Sequence, residues 1–380
     1  MRVAVAGMVA ADAHQGGAIW AVLQYALGLR ALGHDAILLE EVDDARFAEA
    51  AARFGRVTAA FPGRAALVGR PSGRVAGLSR GEVEGMLDGA DLLLNLSGTL
   101  TDAGLLGRFG TRAYVDLDPG FTQLWHATGA ADMGFARHDR FVTIGRGIGS
   151  PCSPIPCCGR TWIPTPQPIC LDRWPVARCA TDGALTTVGH WRAYGSLHHE
   201  GVHYGQKAHA LRPMLGLPRH SGARFRLALG IHPNERDDLA ALRREGWQLV
   251  DPVAAAGTPA AYRQFVQGSW AEFGLAKLGY VAARCGWFSD RSVCYLASGR
   301  PVVAHDTGFG EWLPTGDGVL AFSDANGVRA AIEALRADYG RHRRAARALA
   351  EEVFRAELVL GRLLERLGAA APLAGSAACA

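Results

Sequence analysis

The sequence predicts an α/β protein built from two doubly wound parallel-sheet domains that face each other across a cleft. Three observations predict this fold. Short apolar runs alternate with longer segments of helical periodicity, the alternation stops at a proline-rich stretch near the middle and then restarts, and 380 residues suit two domains better than one.

The first domain is predicted from residues 1–165. Residues 2–7 form an apolar run that ends in glycine, as a buried parallel strand does, and a segment of helical spacing follows before the next run at 36–41. Strand, loop, helix and strand make one βαβ unit, which requires a parallel sheet. Further strands are expected at 90–98, 112–120 and 141–145.

The crossover to the second domain is predicted at 150–175, which carries seven prolines and therefore forms neither a helix nor a central strand. The second domain is expected over 166–345, with a mostly helical stretch at 260–284. The segment 346–368 is expected to be a helix able to pack back on the first domain, and 369–380 a disordered tail. Strands of the second domain are predicted at 184–191, 224–231, 247–252, 300–308 and 319–324.

Charge and composition narrow the class of protein. The net charge of +4 is small for this length, so it favours local binding of small anions over a nucleic-acid partner. Only two of the 40 cationic residues are lysines, Lys207 and Lys277, and an ammonium is not equivalent to a guanidinium at a tight site. No apolar run approaches the about 18 residues of a transmembrane segment, and the amino terminus fits a strand better than a signal peptide, so we expect a cytoplasmic protein.

Two loops of the second half are candidates for binding a diphosphate. Ser289 is a good N-cap for the helix that should begin there, where free backbone N–H groups make an anion site, and Arg291 and Ser292 add a charge and a hydroxyl. Arg192 follows a predicted strand, and Lys207 lies at the start of the next helix, where a bound anion would offset its conflict with the helix dipole.

Other phosphate, cofactor and metal motifs do not appear. No GxGxxG follows the first strand and no GxxxxGK[ST] occurs, which argues against a dehydrogenase and a P-loop protein. The five cysteines within 152–179 lack the paired CxxC spacing of a zinc site. Asp116-Leu117-Asp118 has the form of a metal-binding acid pair but lies in the first domain, so we expect no metal and no cofactor beyond the co-substrate.

With these loops placed, the chain resembles the GT-B glycosyltransferases, whose two domains are Rossmann-like. The segment 16–35 is similar to the first loop and helix of that family, Arg192 and Lys207 resemble its phosphate-gripping basic pair, and 285–308 resembles its donor loop. The resemblance implies a nucleoside-diphosphate-sugar donor held by the second domain and an acceptor at the first. The implied donor-binding residues are Arg192, Lys207, Ser289, Arg291, Ser292, Asp306 and Gly308, and the implied acceptor-side residues are Gln15, Gly16 and Gly17.

The stereochemistry of transfer is left open by the sequence. The second glutamate of the retaining branch falls on Cys294, and the plant-like inverting branch would have asparagine at Phe288. An inverting transfer needs a general base, and the resemblance implies His14, with Asp116 or Asp118 to orient it. In a retaining transfer the leaving diphosphate itself helps deprotonate the acceptor. Lys277, His126, His138 and Asp139 are further residues that could line the cleft.

The function predicted from the sequence is a metal-independent glycosyltransferase acting on a small-molecule or glycan acceptor. Two alternatives use the same fold: a nucleotide-sugar isomerase or phosphorylase, and a non-catalytic nucleotide-sugar-binding subunit. The first would bind the donor yet act without an acceptor, and the second would keep the donor loops without a base. A dehydrogenase is disfavoured because the first glycine loop does not encode nicotinamide binding.

Overall fold

The structure is a computed structural model that describes residues 1–59, 61–178 and 183–368. Its first sheet has seven parallel strands in the spatial order β3-β2-β1-β4-β5-β6-β7, the order of a doubly wound fold extended by one strand. The strands are β1 (Arg2–Ala6), β2 (Asp35–Asp43), β3 (Arg64–Arg70), β4 (Leu92–Leu96), β5 (Thr111–Asp116), β6 (Arg140–Thr143) and β7 (Trp162–Pro164).

The second sheet has six parallel strands in the order β12-β11-β8-β13-β14-β15, and β9 and β10 form a separate antiparallel hairpin. These strands are β8 (Leu185–His190), β9 (Leu197–His199), β10 (Val202–Tyr204), β11 (Phe225–Gly230), β12 (Gln248–Leu249), β13 (Ala271–Gly274), β14 (Val302–His305) and β15 (Val319–Phe322). The predicted α/β class with two doubly wound parallel sheets is confirmed.

Helices cover both sheets, which is why β1 and β4 consist almost entirely of buried apolar residues. In the first half the helices are α1 (Gly16–Ala31), α2 (Phe47–Thr58), α3 (Arg80–Leu87), α4 (Ala103–Leu106) and α5 (Phe121–Ala127). In the second half they are α6 (Lys207–Leu211), α7 (Leu217–Ser221), α8 (Arg236–Arg244), α9 (Pro252–Ala256), α10 (Pro259–Gln267), α11 (Leu278–Ala283), α12 (Asp290–Ala297), α13 (Ala325–Ala337), α14 (Tyr339–Leu349) and α15 (Ala356–Arg366).

Five strands differ from the sequence-based prediction, and two of them, β9 and β10 of the hairpin, were not predicted at all. The stretch 260–284 was predicted as mostly helical, but it contains β13, a four-residue strand in the middle of the second sheet. The proline-rich crossover contributes β7, which lies at the edge of the first sheet. Pro164 has no backbone N–H, and an edge strand tolerates this because its outer side has no neighbouring strand to accept a hydrogen bond. The opposite edge strand, β3, was not predicted, because its sequence RAALVGR places arginine at both ends.

The end of the chain packs on its beginning. Helix α15 lies against α1, and a Cβ on Gly28 would come within 2.6 Å of Leu360 and 2.7 Å of Ala356. The tail predicted at 369–380 lies outside the described residues. No helix of the described ranges is long and apolar enough to cross a membrane.

Replacing Gly28 with alanine should destabilise the protein by about 1–3 kcal/mol, because the new methyl group overpacks the contact between α1 and α15. Gly55 in α2 is the matched control: it too is helical, but a Cβ there meets nothing within 4 Å. Its replacement by alanine should stabilise by about 0.5–1 kcal/mol. Chemical denaturation of both variants measures the difference, and equal effects would contradict the described packing.

Candidate functional site

A cavity of about 450 Å³, which we name the central cavity, lies between the two sheets where their strands end. In parallel α/β sheets ligands bind off these carboxyl ends, and enclosed volumes of this size suit small molecules. The cavity is therefore the candidate site. Its lining residues come from both sheets: Ala13, His14, Gln15, Gly16, Gly17, Ala18, Val188, Gly189, His190, Gly230, Pro252, Val253, Ala256, Tyr262, Asp290 and Arg291.

The first-sheet wall is the loop after β1, and it contains His14 together with the three residues that the resemblance placed on the acceptor side. His14 has a left-handed backbone, φ 61°, and makes no hydrogen bond within the described ranges. Gln15 Nε2 lies 3.4 Å from His190 Nε2 across the cavity. Gly16 packs against the carbonyl oxygens of Thr258 and Ala256, so any side chain there would push α1 away from the second sheet.

Lys207 provides the strongest electrostatic feature beside the cavity. Only 7% of this residue is exposed, and its Nζ makes no hydrogen bond or ion pair in the part of the chain that the structure describes. Its Cε and Arg291 Nη1 both lie within 4 Å of where a Cβ on Gly189 would be, so the two cations flank that glycine of the cavity wall. Burial, and then the charge of Arg291, lower the pKa of Lys207 well below its usual range.

The guanidinium of Arg291 is held by two hydrogen bonds, and its third nitrogen has no partner among the described residues. Its Nε binds the buried carboxylate of Glu272 on β13 at 2.5 Å, and its Nη1 donates to the carbonyl of Val188 at 2.9 Å. Burial opposes the charge, but Glu272 raises the pKa of Arg291 overall. Its Nη2 is buried and has no partner among the described residues. An orphaned donor beside an uncompensated ammonium is a site prepared for an anion.

His190 is a residue of the site that sequence reasoning missed. It ends β8 and lines the central cavity, and partial burial, then Lys207 and Lys277, lower its pKa. The predicted residue Arg192 lies two positions further on and does not reach the cavity: its Nε binds Glu235 at 2.5 Å. The end of the predicted strand could have identified His190, because ligands bind at the carboxyl ends of parallel strands and His190 is the last residue of β8.

The amino terminus of α12 already has two partners within the chain, the Ser289 hydroxyl and the Asp290 carboxylate. Ser289 caps the helix by accepting from the Arg291 N–H at 3.2 Å, and Ser292 is buried inside the helix. Asp290, which was not predicted, lines the cavity, and its carboxylate already complements the helix dipole. The helix terminus is therefore a less favourable place for an anion than the surroundings of Lys207 and the Arg291 side chain.

Besides Arg192, two further predicted donor-side residues are not brought to the cavity. Asp306 follows β14 and accepts from the N–H of Gly308 at 2.8 Å, which closes a local turn. Gly308 packs near the carbonyl of Arg284, and neither residue lines the central cavity. Their similarity to the family's donor loop therefore corresponds to a turn beside β14.

Asp118 is not paired with His14. Its carboxylate binds Lys277 Nζ at 2.8 and 3.0 Å and accepts from the hydroxyls of Tyr194 and Tyr280 at 2.5 Å each. Burial and the charge of Asp118 raise the pKa values of both tyrosines, so both remain donors. Because Asp118 follows β5 and Lys277 follows β13, this cluster joins the first sheet to the second. We name it the interdomain cluster.

The remaining polar residues considered for the cleft have structural partners. Asp116 is fully buried and accepts from Gln123 and Thr143, so the acid pair of 116–118 does not converge on one point. His138 contacts Asn95 and a backbone carbonyl, Asp139 binds Arg112, and His126 stacks beside Phe135. Within the described ranges no three histidine, cysteine or acidic side chains cluster in a way that could hold a metal ion.

Comparison with known proteins places this geometry among solved structures. No protein-family model matches the sequence, and no curated protein does. An α-glucosyltransferase, AGT, in complex with UDP matches with a TM-score of 0.59 at 11% identity over 97% of this chain and 100% of that one. The chain has the GT-B fold. HepE from Anabaena, in complex with UDP and glucose, gives 0.58 at 12% identity over 97% and 100%, and AviGT4, a glycosyltransferase of avilamycin A biosynthesis, gives 0.52 at 16% over 97% and 97%.

The central cavity lies where the GT-B fold brings its two Rossmann-like sheets together, with the carboxyl ends of their strands facing each other. The matched structures cover both sheets and not one alone, since each matches 97% of the chain. A further AGT structure contains UDP together with a 13-mer DNA. The expectation that no nucleic acid binds this chain therefore stays a prediction.

Proposed function

We propose that this chain is a glycosyltransferase that takes a sugar from a UDP-sugar and transfers it to an acceptor hydroxyl in the central cavity, without a metal ion. The observation that carries the proposal is the buried pair of Lys207 and Arg291, whose side chains both reach Gly189 of the cavity wall. Among the described residues the ammonium of Lys207 and the Nη2 of Arg291 have no hydrogen-bond partner. A diphosphate would supply the negative charge that these two cations lack. The cations would then neutralise the diphosphate as a divalent metal ion does in metal-dependent enzymes. UDP is named because it is bound in the solved structures of AGT and HepE.

The donor would lie along the second-sheet wall. Its diphosphate would lie at Gly189, His190 and Arg291, where the absence of a Cβ at 189 lets the phosphate approach the backbone. The nucleoside would extend along Gly230 and Pro252, at the ends of β11 and the start of α9. This orientation brings the sugar to the loop at His14, on the first-sheet wall.

The transfer forms one bond and breaks one bond at the anomeric carbon. A bond forms between that carbon and the acceptor oxygen, and the bond to the diphosphate oxygen breaks, with its electron pair leaving on the diphosphate. Lys207 and Arg291 stabilise this developing charge. The acceptor proton goes to His14 in an inverting transfer, or to the departing diphosphate in a retaining one.

Replacing His14 with alanine distinguishes these two routes. In the inverting route we expect turnover to fall about 100-fold with UDP affinity unchanged, because general-base catalysis is lost. Asp118 is bound elsewhere, so Asp118→Asn should not reproduce this specific loss. The anomeric configuration of the product, read by NMR, gives the independent answer: an inverted product with unaffected turnover in the variant would exclude His14 as the base.

Binding of UDP should be accompanied by proton uptake at pH 8.5. Burial and Arg291 lower the pKa of Lys207 in the free protein, and a bound diphosphate raises it again, so part of the lysine population gains a proton. The diphosphate of UDP is already fully ionised at this pH, since phosphate groups titrate near pH 6. Calorimetry in buffers of different ionisation enthalpy measures the uptake. Proton release or no exchange would show that Lys207 does not meet the diphosphate.

The proposed function is tested by titration and turnover. We expect UDP to bind more tightly than GDP, dTDP, ADP and NAD, equally well with EDTA and with Mg²⁺. Slow release of UDP from a UDP-sugar, accelerated by an acceptor, supports the transferase. A UDP-sugar that binds but is never consumed indicates a binding subunit, one rearranged without acceptor an isomerase, and preferential NAD binding would refute the proposal.

A further inference from the structure

A second cavity, of about 470 Å³, adjoins the central cavity, and we name it the side pocket. It lies between α1, α2 and the start of α10. Ala13 and His14 line both cavities, so the two spaces meet at the residue proposed to accept the proton. A molecule in the side pocket would therefore reach the reacting sugar at His14.

The walls of the side pocket are largely apolar. Ile19, Leu23 and Leu27 are spaced four residues apart on α1, so they present one continuous apolar face to the pocket. The aromatic rings of Trp20 and Phe61 and the aliphatic side chain of Val57 complete the wall. Trp20 has already used its ring N–H, which donates to the Pro259 carbonyl at 2.8 Å. A glycan would find few hydrogen-bonding partners here, whereas a ring-bearing apolar molecule would fit.

The rim of the side pocket is lined by charged side chains. Asp12 is paired with Arg46, and Arg53 is held by the carbonyls of Ala10 and Ala11. Arg56, one helical turn after Arg53 on the same face of α2, makes no ion pair or hydrogen bond to any described residue. Arg173 also lines the pocket, and its Nε is paired with the adjacent carboxylate of Asp172 at 3.1 Å. Of the arginines that line the pocket, Arg56 is thus the one with no ion pair or hydrogen bond among the described residues, and its guanidinium suits a carboxylate or phosphate.

We propose that the side pocket binds the acceptor, and that the acceptor is an apolar, ring-bearing alcohol or phenol with one anionic group. Its hydroxyl lies at His14 and its anion at Arg56. The inference rests on the proposed function for the transfer itself, but the pocket and its ligand chemistry are tested without turnover. The volume suits one or two fused rings with a short side chain.

The probes are 6-hydroxy-2-naphthoate, its neutral counterpart 2-naphthol, and maltose as a hydrophilic hydroxyl compound, each titrated by calorimetry into the full chain. We expect the naphthoate to bind about tenfold more tightly than naphthol, and maltose not to bind. Arg56→Leu should remove the difference between the two naphthyl compounds. Arg329→Leu, on the exposed surface of α13, is the control and should leave it unchanged.

Filling the pocket tests its location. Val57→Trp should weaken naphthoate binding at least about tenfold and leave UDP binding intact, whereas Leu78→Trp, at an exposed leucine outside both cavities, should change neither. If maltose binds instead, if neither naphthyl compound binds, or if Val57→Trp binds naphthoate normally, the pocket inference is overturned. If naphthoate binds as expected but UDP does not, the proposed function fails while the pocket inference survives.

Discussion

Replacing Lys207 with alanine is expected to weaken UDP binding about 1000-fold, which is about 4 kcal/mol. The ammonium is buried, lacks a partner among the described residues and shares one glycine of the cavity wall with Arg291, so its full attraction for a diphosphate is unscreened by water. Calorimetric titration of UDP into the wild type and the variant measures the loss.

A second variant at this position, Lys207→Met, carries an opposite expectation for stability. Without ligand, a buried unpaired ammonium beside a guanidinium destabilises the fold, so Lys207→Met should raise the free energy of unfolding of the ligand-free protein by about 1 kcal/mol. Arg192→Ala is the control for binding: it removes a cation that is paired with Glu235 away from the cavity, so UDP affinity should change less than about fivefold. Equal losses in the two variants would favour the sequence-based pair of Arg192 and Lys207 over the described site.

Replacing Asp118 with alanine is expected to lower the free energy of unfolding by about 3–5 kcal/mol, because it leaves the ammonium of Lys277 and two tyrosine hydroxyls without their common partner. The side chains of Lys277 and Asp118 are only 13% and 23% exposed. Glu311→Gln breaks the exposed pair with Arg284 and should cost no more than about 1 kcal/mol.

The Asp118 variant also separates a structural role from the catalytic one that the sequence suggested. If the interdomain cluster mainly joins the two sheets, a double-mutant cycle with Lys277→Met will show strong coupling in unfolding experiments. Turnover per folded molecule should then fall far less than in His14→Ala. Normal stability combined with a specific loss of turnover would instead return Asp118 to a catalytic role.

The fold was predictable because its signals are local and repeated. Runs such as RVAVA in β1 and LLLNL in β4 are apolar except for Arg2 and Asn95, as strands buried on both faces are, and glycine or proline marks the ends of many elements. The strand β13 was missed because its four residues include Glu272, a charge that looks exposed in sequence but is fully buried against Arg291. Such pairing depends on the second sheet being assembled.

The site was predictable only where a residue's position along a strand or helix fixes its location. The loop at His14 follows the first strand, and Arg291 begins a helix, and both reach the central cavity. The destinations of Arg192 and Asp118 depend on partners 43 and 159 residues away, Glu235 and Lys277, which no local pattern reveals. His190 could have been predicted from its local position at the end of β8, but the prediction used Arg192, the basic residue two positions later.

The measurement that tests the central claim most directly is a crystal structure of the protein with UDP. We predict the diphosphate beside Gly189, within hydrogen-bonding distance of Lys207 Nζ and Arg291 Nη2, with the nucleoside running along Gly230 toward Pro252. A diphosphate bound at Arg192, at any other place on the chain, or no bound UDP at millimolar concentration would contradict the account.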